Sequence, residues 1–218
     1  MYKFITAGKG YFHIKKDPVY IKGRPCYDVR FRVRSLESLD WLYRVDDRYQ
    51  TILDVGGIFP WEFNQRIREG NYKRDAKAVF DQVKHRAYVK DTSYKIPPYA
   101  QDIVSAFFYI RTFDLSSMPK DTVIYVPNFV DDTTYTLGVK ILGKQTIKVD
   151  AGKFRCVVIE PLVVEGGLFK SEGRIVIWLT DDDRKIPVKV ATEILIGYVE
   201  SELVRYSGVR GPVDAKIE

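Results

Sequence analysis

Polar and apolar residues alternate with a period of two along most of this chain, and with a period near 3.6 in one place. The cleanest alternation sets Tyr27, Val29, Phe31 and Val33 on one side and Asp28, Arg30, Arg32 and Arg34 on the other, the mark of a half-buried strand. Tyr135, Leu137, Val139 and Ile141 repeat it, and Trp61, Phe63 and Ile67 are expected to share one face. Strand-like runs cover residues 2–16, bent at Gly8 and Gly10, then 19–34 around a turn at Lys22-Gly23-Arg24-Pro25. Further runs are 41–54 with a break at Asp46-Asp47, 58–69, 72–80, 83–91 and 122–130, the last interrupted by Pro127. After a turn at Gly143-Lys144 come 145–149 and 153–164 around Asp150-Ala151-Gly152, then 173–180 and a long strand 186–206. Glycine inside a run marks a bend or bulge, and proline an edge or bulge. Ser35–Asp40, Val55-Gly56-Gly57, Asp131-Asp132 and Gly166-Gly167 read as loops or turns, and the polar tail from Gly208 as frayed.

The exception is Pro98–Leu115. Ile103, Ala106, Phe107, Ile110 and Phe113 recur at helical spacing, and Val104 and Phe108 add a second apolar row. The spacing predicts one helix over about 102–113, opened after Pro97-Pro98 with Asp102 near the positive end of the helix dipole. A helix apolar over most of its circumference must be covered, and here strands are the only cover on hand. Short connections imply antiparallel pairing. The expected fold is therefore mainly β: a single domain over 1–218, formed as one curved antiparallel sheet of about a dozen strands, a half-barrel or open barrel, with one buried helix in its concavity.

One pattern occurs twice. A strand Tyr49–Asp54 is followed by a turn and Phe59-Pro60, then by Ile67; Arg174–Asp181 is followed by a turn and Ile186-Pro187, then by Ile194. Hairpins converge on such residues, because proline suits the start of a strand and aspartate or glycine the turn before it. The other reading is a pair of related hairpins within the one sheet.

Composition narrows the function classes. The chain has 218 residues, 45% of them apolar and 14% aromatic, with a net charge of +6. That excludes disorder, and no run is long and apolar enough for a membrane helix. No leader is visible, as expected of a trimmed mature form. The cations are spread along the strands without a recognition helix or zinc-finger spacing, so nucleic acid is not expected as a partner. Cys26 and Cys156 are too few for a disulfide framework or a metal site, and read as buried thiols, the alternative being a single disulfide in an oxidising compartment. His13 and His85 lie in no catalytic motif, and no GxSxG, HExxH, CxxC or phosphate loop is present. The runs Asp46-Asp47, Asp131-Asp132 and Asp181-Asp182-Asp183 lack the spaced oxygens of a calcium loop and read as turns. No metal or cofactor is expected. The candidate residues are aromatic positions for an apolar ligand, Phe107, Phe108, Trp61, Phe63 and Trp178, and the basic row Arg30, Arg32 and Arg34 for an anionic partner.

Several motifs together resemble a known family. They are Tyr43-Arg44-Val45-Asp46-Asp47-Arg48-Tyr49, Ile67-Arg68-Glu69-Gly70, Asp102-Ile103-Val104-Ser105-Ala106 with Tyr109-Ile110-Arg111, Gly152-Lys153-Phe154-Arg155-Cys156 with Glu160-Pro161, and Trp178-Leu179-Thr180-Asp181-Asp182 with Ile186-Pro187-Val188. This set is similar to a family of bacterial exported proteins of unknown function. The resemblance implies the half-barrel fold of the lipoprotein-localisation carriers and related envelope lipoproteins, and a periplasmic or envelope setting in a Gram-negative bacterium. It implies no activity and no site residues. The expected function is a non-catalytic envelope protein holding a lipid or acyl chain. The alternatives are an assembly factor contacting polysaccharide or a protein, and a hydrolase whose carboxylates sequence does not reveal.

Overall fold

The computed structural model describes residues 6–162, 173–194 and 197–218. The fold is mainly β, with antiparallel strand pairing and one α-helix among the described residues. The strands divide between two sheets rather than forming one. Two compact units result, Met1–Tyr109 with Pro127–Thr134, and Ile110–Val126 with Tyr135–Glu218.

The first sheet runs β1 (Gly8–Ile14), β3 (Arg24–Ser35), β4 (Asp46–Asp54), β5 (Pro60–Glu69), β6 (Tyr72–Asp81), β7 (Arg86–Val89) and β8 (Thr92–Lys95), with β2 (Val19–Ile21) also on β3. The turn between β2 and β3 uses the positive φ of Lys22 and Gly23, as the Gly-Pro chemistry predicts. The segment 41–44 is not strand: Leu42 and Tyr43 donate their backbone N–H to Leu39 behind a 3₁₀ turn, Glu37–Leu39. β8 was hidden in the approach to the helix, where two prolines obscure four strand residues. The helix α1 is Ile103–Ile110, shorter than expected at its C-terminal end, where the chain passes into turns. It is covered by this sheet: Val104 packs with Val29, Leu53, Phe63, Ala78, Phe80 and Ala87 in one buried cluster. Trp61 does not share that face. The pairing of β4 with β5 shifts between Ile52 and Leu53, and this bulge turns Trp61 to a second cluster with Cys26, Ile52 and Phe59.

The second sheet runs β14 (Gly197–Glu202), β13 (Pro187–Ile194), β12 (Ile175–Thr180), β11 (Gly152–Leu162), β10 (Thr133–Val149) and β9 (Val123–Val130). Gly143 does not turn the chain. It holds φ +113° at a bulge inside the continuous strand β10, a conformation that side-chain-bearing residues resist. The single long strand expected over 186–206 is the antiparallel pair β13 and β14. The tail is docked rather than frayed: Ala215 is fully buried, and Arg155 N–H donates to its carbonyl at 2.9 Å. The Gly166-Gly167 turn lies outside the described residues.

The doubled hairpin is real at the level of register, one copy in each sheet. Cys26 lies opposite Asp54 and Tyr27 opposite Leu53; Cys156 lies opposite Thr180 and Val157 opposite Leu179. Leu53 then pairs with Pro60 across a bulge, as Leu179 pairs with Pro187. The residue before each apolar-proline pair is left-handed, Ile58 at φ +48° and Lys185 at φ +45°. Each turn is secured by a carboxylate: Asp54 accepts the N–H of Gly56 and Gly57, and Asp182 that of Arg184 and Lys185. Each cysteine sulfur lies near the carbonyl two residues before it.

Candidate functional site

The pleat of the first sheet gives it two chemically distinct faces. On the helix side, β1 presents Phe12 opposite Phe31 of β3. Their rings stack at 4.3 Å, Phe31 continues to Tyr49 at 5.9 Å, and Phe12 reaches Phe107 at 5.7 Å and Phe108 at 6.5 Å. Phe107 and Phe108 meet edge to face at 5.6 Å. These are ordinary aromatic geometries; the exposure is not. Phe12 remains 48% exposed and Ile14, on the same side of β1, 45%. An apolar platform therefore opens at the sheet edge, beside the helix.

Of the aromatic candidates, the structure brings only Phe107 and Phe108 to this platform. Phe63 is a core residue beneath the helix, and Trp61 spends its indole N–H on Asp54 at 3.2 Å. Trp178 belongs to the second unit, where it donates to Gln145 at 2.8 Å and carries the Lys189 ammonium over its ring. Phe12, Phe31 and Tyr49 were missed as ligand candidates. Their alternation was legible, but not which strands would lie side by side.

On the other face, Arg30, Arg32 and Arg34 project together as expected, each beside a carboxylate. Arg30 forks onto Asp28 at 3.0 and 3.1 Å, Arg32 meets Asp46 at 2.8 Å and Arg34 meets Glu37 at 2.9 Å. Burial pushes the Asp28 carboxyl up, but Arg30, Lys15 and Gln50 outweigh it and hold it at about 2. The Arg48 hydrogen bond, with help from Arg32 and against burial, holds Asp46 at about 2 as well. Both are ionised at any ordinary pH.

The most perturbed acid is Asp102. Burial raises it to about 6 although Thr51, Val104 and Ser105 all donate to it. It is completely buried and caps α1, so its lone pairs serve the fold, and substrate has no route to it. The thiols are likewise closed. Cys26 and Cys156 are buried and unpaired with each other, and burial pushes Cys156 up to about 12. Native protein is therefore expected to leave both unlabelled by a disulfide reagent until denaturant is added; labelling of either at the rate of a free thiol would contradict this packing.

Comparison with known proteins places this architecture. No curated protein sequence matches the chain. Among solved structures, a β-barrel-like protein of the domain of unknown function DUF1849 from Brucella abortus superposes with a TM-score of 0.57 at 13% identity, over 91% of this chain and 86% of that one. A DUF1089-family protein from Pseudomonas aeruginosa gives 0.45 at 11% identity, over 86% of this chain and 91% of the other. At such identities only the first likeness carries weight, and it speaks to fold alone. A family model, Protein of unknown function (DUF3108), matches residues 1–204. With nearly its whole length matched, the chain belongs to the DUF3108 family.

Proposed function

We propose that this protein is a non-catalytic binding protein of the Gram-negative envelope that holds an acyl chain or similar apolar ligand on the platform of Phe12, Phe31 and Tyr49. The carrying observation is the half-exposed Phe12, stacked into a run of rings at the sheet edge. Soluble domains keep such surface small unless it is used. The resemblance to lipoprotein-localisation carriers supports the envelope setting, and the Brucella structure supports the β-barrel-like fold in which such ligands are commonly held.

Lipid extraction of natively purified protein, followed by mass spectrometry, tests the reading. An acyl-chain species should co-purify. Phe12→Ser should weaken binding of a fluorescent fatty-acid probe by about tenfold, the worth of half a phenylalanine's burial plus one ring stack. Its cost in stability should stay near 1 kcal/mol because half the ring is already in water. A lipid-free extract together with unchanged probe binding would remove this reading. The alternative, an assembly factor of the envelope, draws instead on the arginine face.

A further inference from the structure

That face is organised beyond the three arginines of β3. Register sets Tyr11, Arg32, Arg48 and Arg66 directly opposite one another across β1, β3, β4 and β5. The next row holds His13, Arg30, Gln50, Asn64 and Lys77. Strands lie about 4.8 Å apart and same-face residues about 6.7 Å apart along a strand, so the result is a lattice of guanidinium and amide groups. Like charges directly opposite each other destabilise a sheet. The three-arginine row therefore carries a local cost, met within the fold only by the carboxylates beside it.

Carboxylates offset it in part, Glu62 meeting Lys77 at 3.4 Å and Glu37 meeting Arg34 at 2.9 Å. Asp46 serves both Arg32 at 2.8 Å and Arg48 at 2.9 Å, and Asp28 serves both Lys15 at 2.9 Å and Arg30 at 3.0 Å. One negative charge shared by two cations leaves a positive remainder at each pair. Arg66 is exposed and lies opposite Asp75, yet Asp75 is bonded to Arg68 at 2.7 Å. At the corner of the lattice, Lys9, Tyr11, Arg34 and Ser38 line an open depression of about 310 Å³, together with Glu37, which meets Arg34 at 2.9 Å.

We propose that this face binds an acidic polysaccharide, a polymer of hydroxylated rings bearing carboxylates. The inference is independent of the acyl-chain reading, since it uses the opposite face of the sheet. Arginine forks match carboxylates two bonds at a time. The amides of Gln50 and Asn64 stand between Arg30 and Lys77, and His13 stands beside Arg30; they offer sugar hydroxyls donors and acceptors, Gln50 keeping one N–H besides the one it gives Asp28 at 2.8 Å. Tyr11, in line with Arg32, offers a ring for a sugar to stack on and borders the depression. A bilayer would ask for apolar side chains among the cations, and apart from Tyr11 these two rows hold amides and an imidazole instead.

The test is binding of polygalacturonate, measured calorimetrically on the full chain, with the fully methyl-esterified polymer as the uncharged control. Binding should weaken steadily with salt and vanish for the ester. The double variant Arg48→Thr, Arg66→Thr should bind about tenfold more weakly, having lost two ionic contacts, while melting within a few degrees of the parent, since the exposed Arg48–Asp46 pair that is lost is offset by relief of cross-strand repulsion. Should the double variant fold poorly, Arg66→Thr alone, at an exposed position, should still weaken binding severalfold. Phe12→Ser should bind the polymer as the parent does, which separates this site from the platform. The proposal is overturned if polygalacturonate does not bind, if the ester binds equally, if the variants bind like the parent, or if phosphatidylglycerol vesicles or duplex DNA bind the face more tightly.

Discussion

Replacing Asp54 with alanine is expected to destabilise the protein by about 2–4 kcal/mol, the cost of leaving a buried indole N–H and the donors of a tight turn without their acceptor. Asp54 is 1% exposed and accepts five hydrogen bonds. Arg24 forks onto it at 2.5 and 2.8 Å, the N–H groups of Gly56 and Gly57 meet it at 3.0 and 2.8 Å, and the Trp61 indole at 3.2 Å. Those bonds fix the turn in which Ile58, a β-branched residue, holds φ +48°, a conformation it resists. Without the carboxylate, Arg24 returns to water easily, since half its side chain is already there. The buried indole has no such exit, and the half-buried Gly57 amide has little; Gly56 is exposed. Asp54→Asn keeps an acceptor for the turn but loses the charge facing Arg24, so its loss should be about half as large.

The acid dependence of Asp54 follows from the same contacts. Arg24 above all, joined by Gly57 and Trp61 and opposed by burial, lowers the carboxyl from 3.8 to about 2. A folded value below the unfolded one contributes stability that is whole above about pH 4 and is lost as pH falls towards 2. The gap between parent and Asp54→Ala in urea unfolding should therefore narrow between pH 5 and pH 2. A loss below about 1 kcal/mol at neutral pH would show that the turn is held by something else.

Much of this architecture is legible in the chain, and the failures have common physical causes. Alternation located most of the strands, because a half-buried strand must alternate. The apolar stripe of Ile103 to Ile110 located the helix, since nothing else in the chain has its period. What periodicity does not carry is pairing. Two sheets and one sheet have the same alternation, so the division between β8 and β9 was invisible. Bulges defeat the reading in a second way. The extra residue at Trp61 moves it to the opposite face from Phe63, and Gly143 resembles a turn until its strand is seen to continue. The tail departs from the expected fraying for a third reason: it is anchored mainly through its backbone, to Lys153, Arg155 and Asp182, and backbone bonds leave no trace in side-chain pattern. The same limits apply to the sites. Arg30, Arg32 and Arg34 share one strand and were visible; Arg48 and Arg66 join them only through register. The repeated hairpin was visible in its prolines, whereas the matched Cys26 and Cys156 positions needed the pairing to be seen.

Asp102 gives the second large effect, and one whose sign reverses with the substitution chosen. Its Oδ1 accepts the N–H of Val104 at 2.7 Å and of Ser105 at 2.8 Å, its Oδ2 accepts the Thr51 hydroxyl at 2.6 Å, and its own N–H donates to Ser105 Oγ at 2.8 Å. This is a helix cap tied to the sheet beneath it. Alanine strips three buried donors of their acceptor, and a loss of about 2–4 kcal/mol is expected. Asparagine keeps Oδ1 for the two amides and can donate to Thr51, which also lies 3.3 Å from the Glu62 carbonyl and can turn its own proton there. It also removes a charge that burial opposes. Burial raises the Asp102 carboxyl from 3.8 to about 6. A folded value above the unfolded one means that stability is whole below about pH 4 and is lost as pH rises through 6, by up to roughly 3 kcal/mol. Asp28, Asp46 and Asp54, held at about 2, act below pH 4 and in the opposite sense, so the two windows separate. Asp102→Asn should consequently match or exceed the parent in stability at pH 7.5 and lose that advantage by pH 4.5, while Asp102→Ala stays below the parent at both. Denaturant midpoints for the three proteins at those two pH values decide it: an asparagine variant that is weaker by the same amount at both would mean that the ionised carboxylate is itself stabilised in the fold, by a charge that these contacts do not supply.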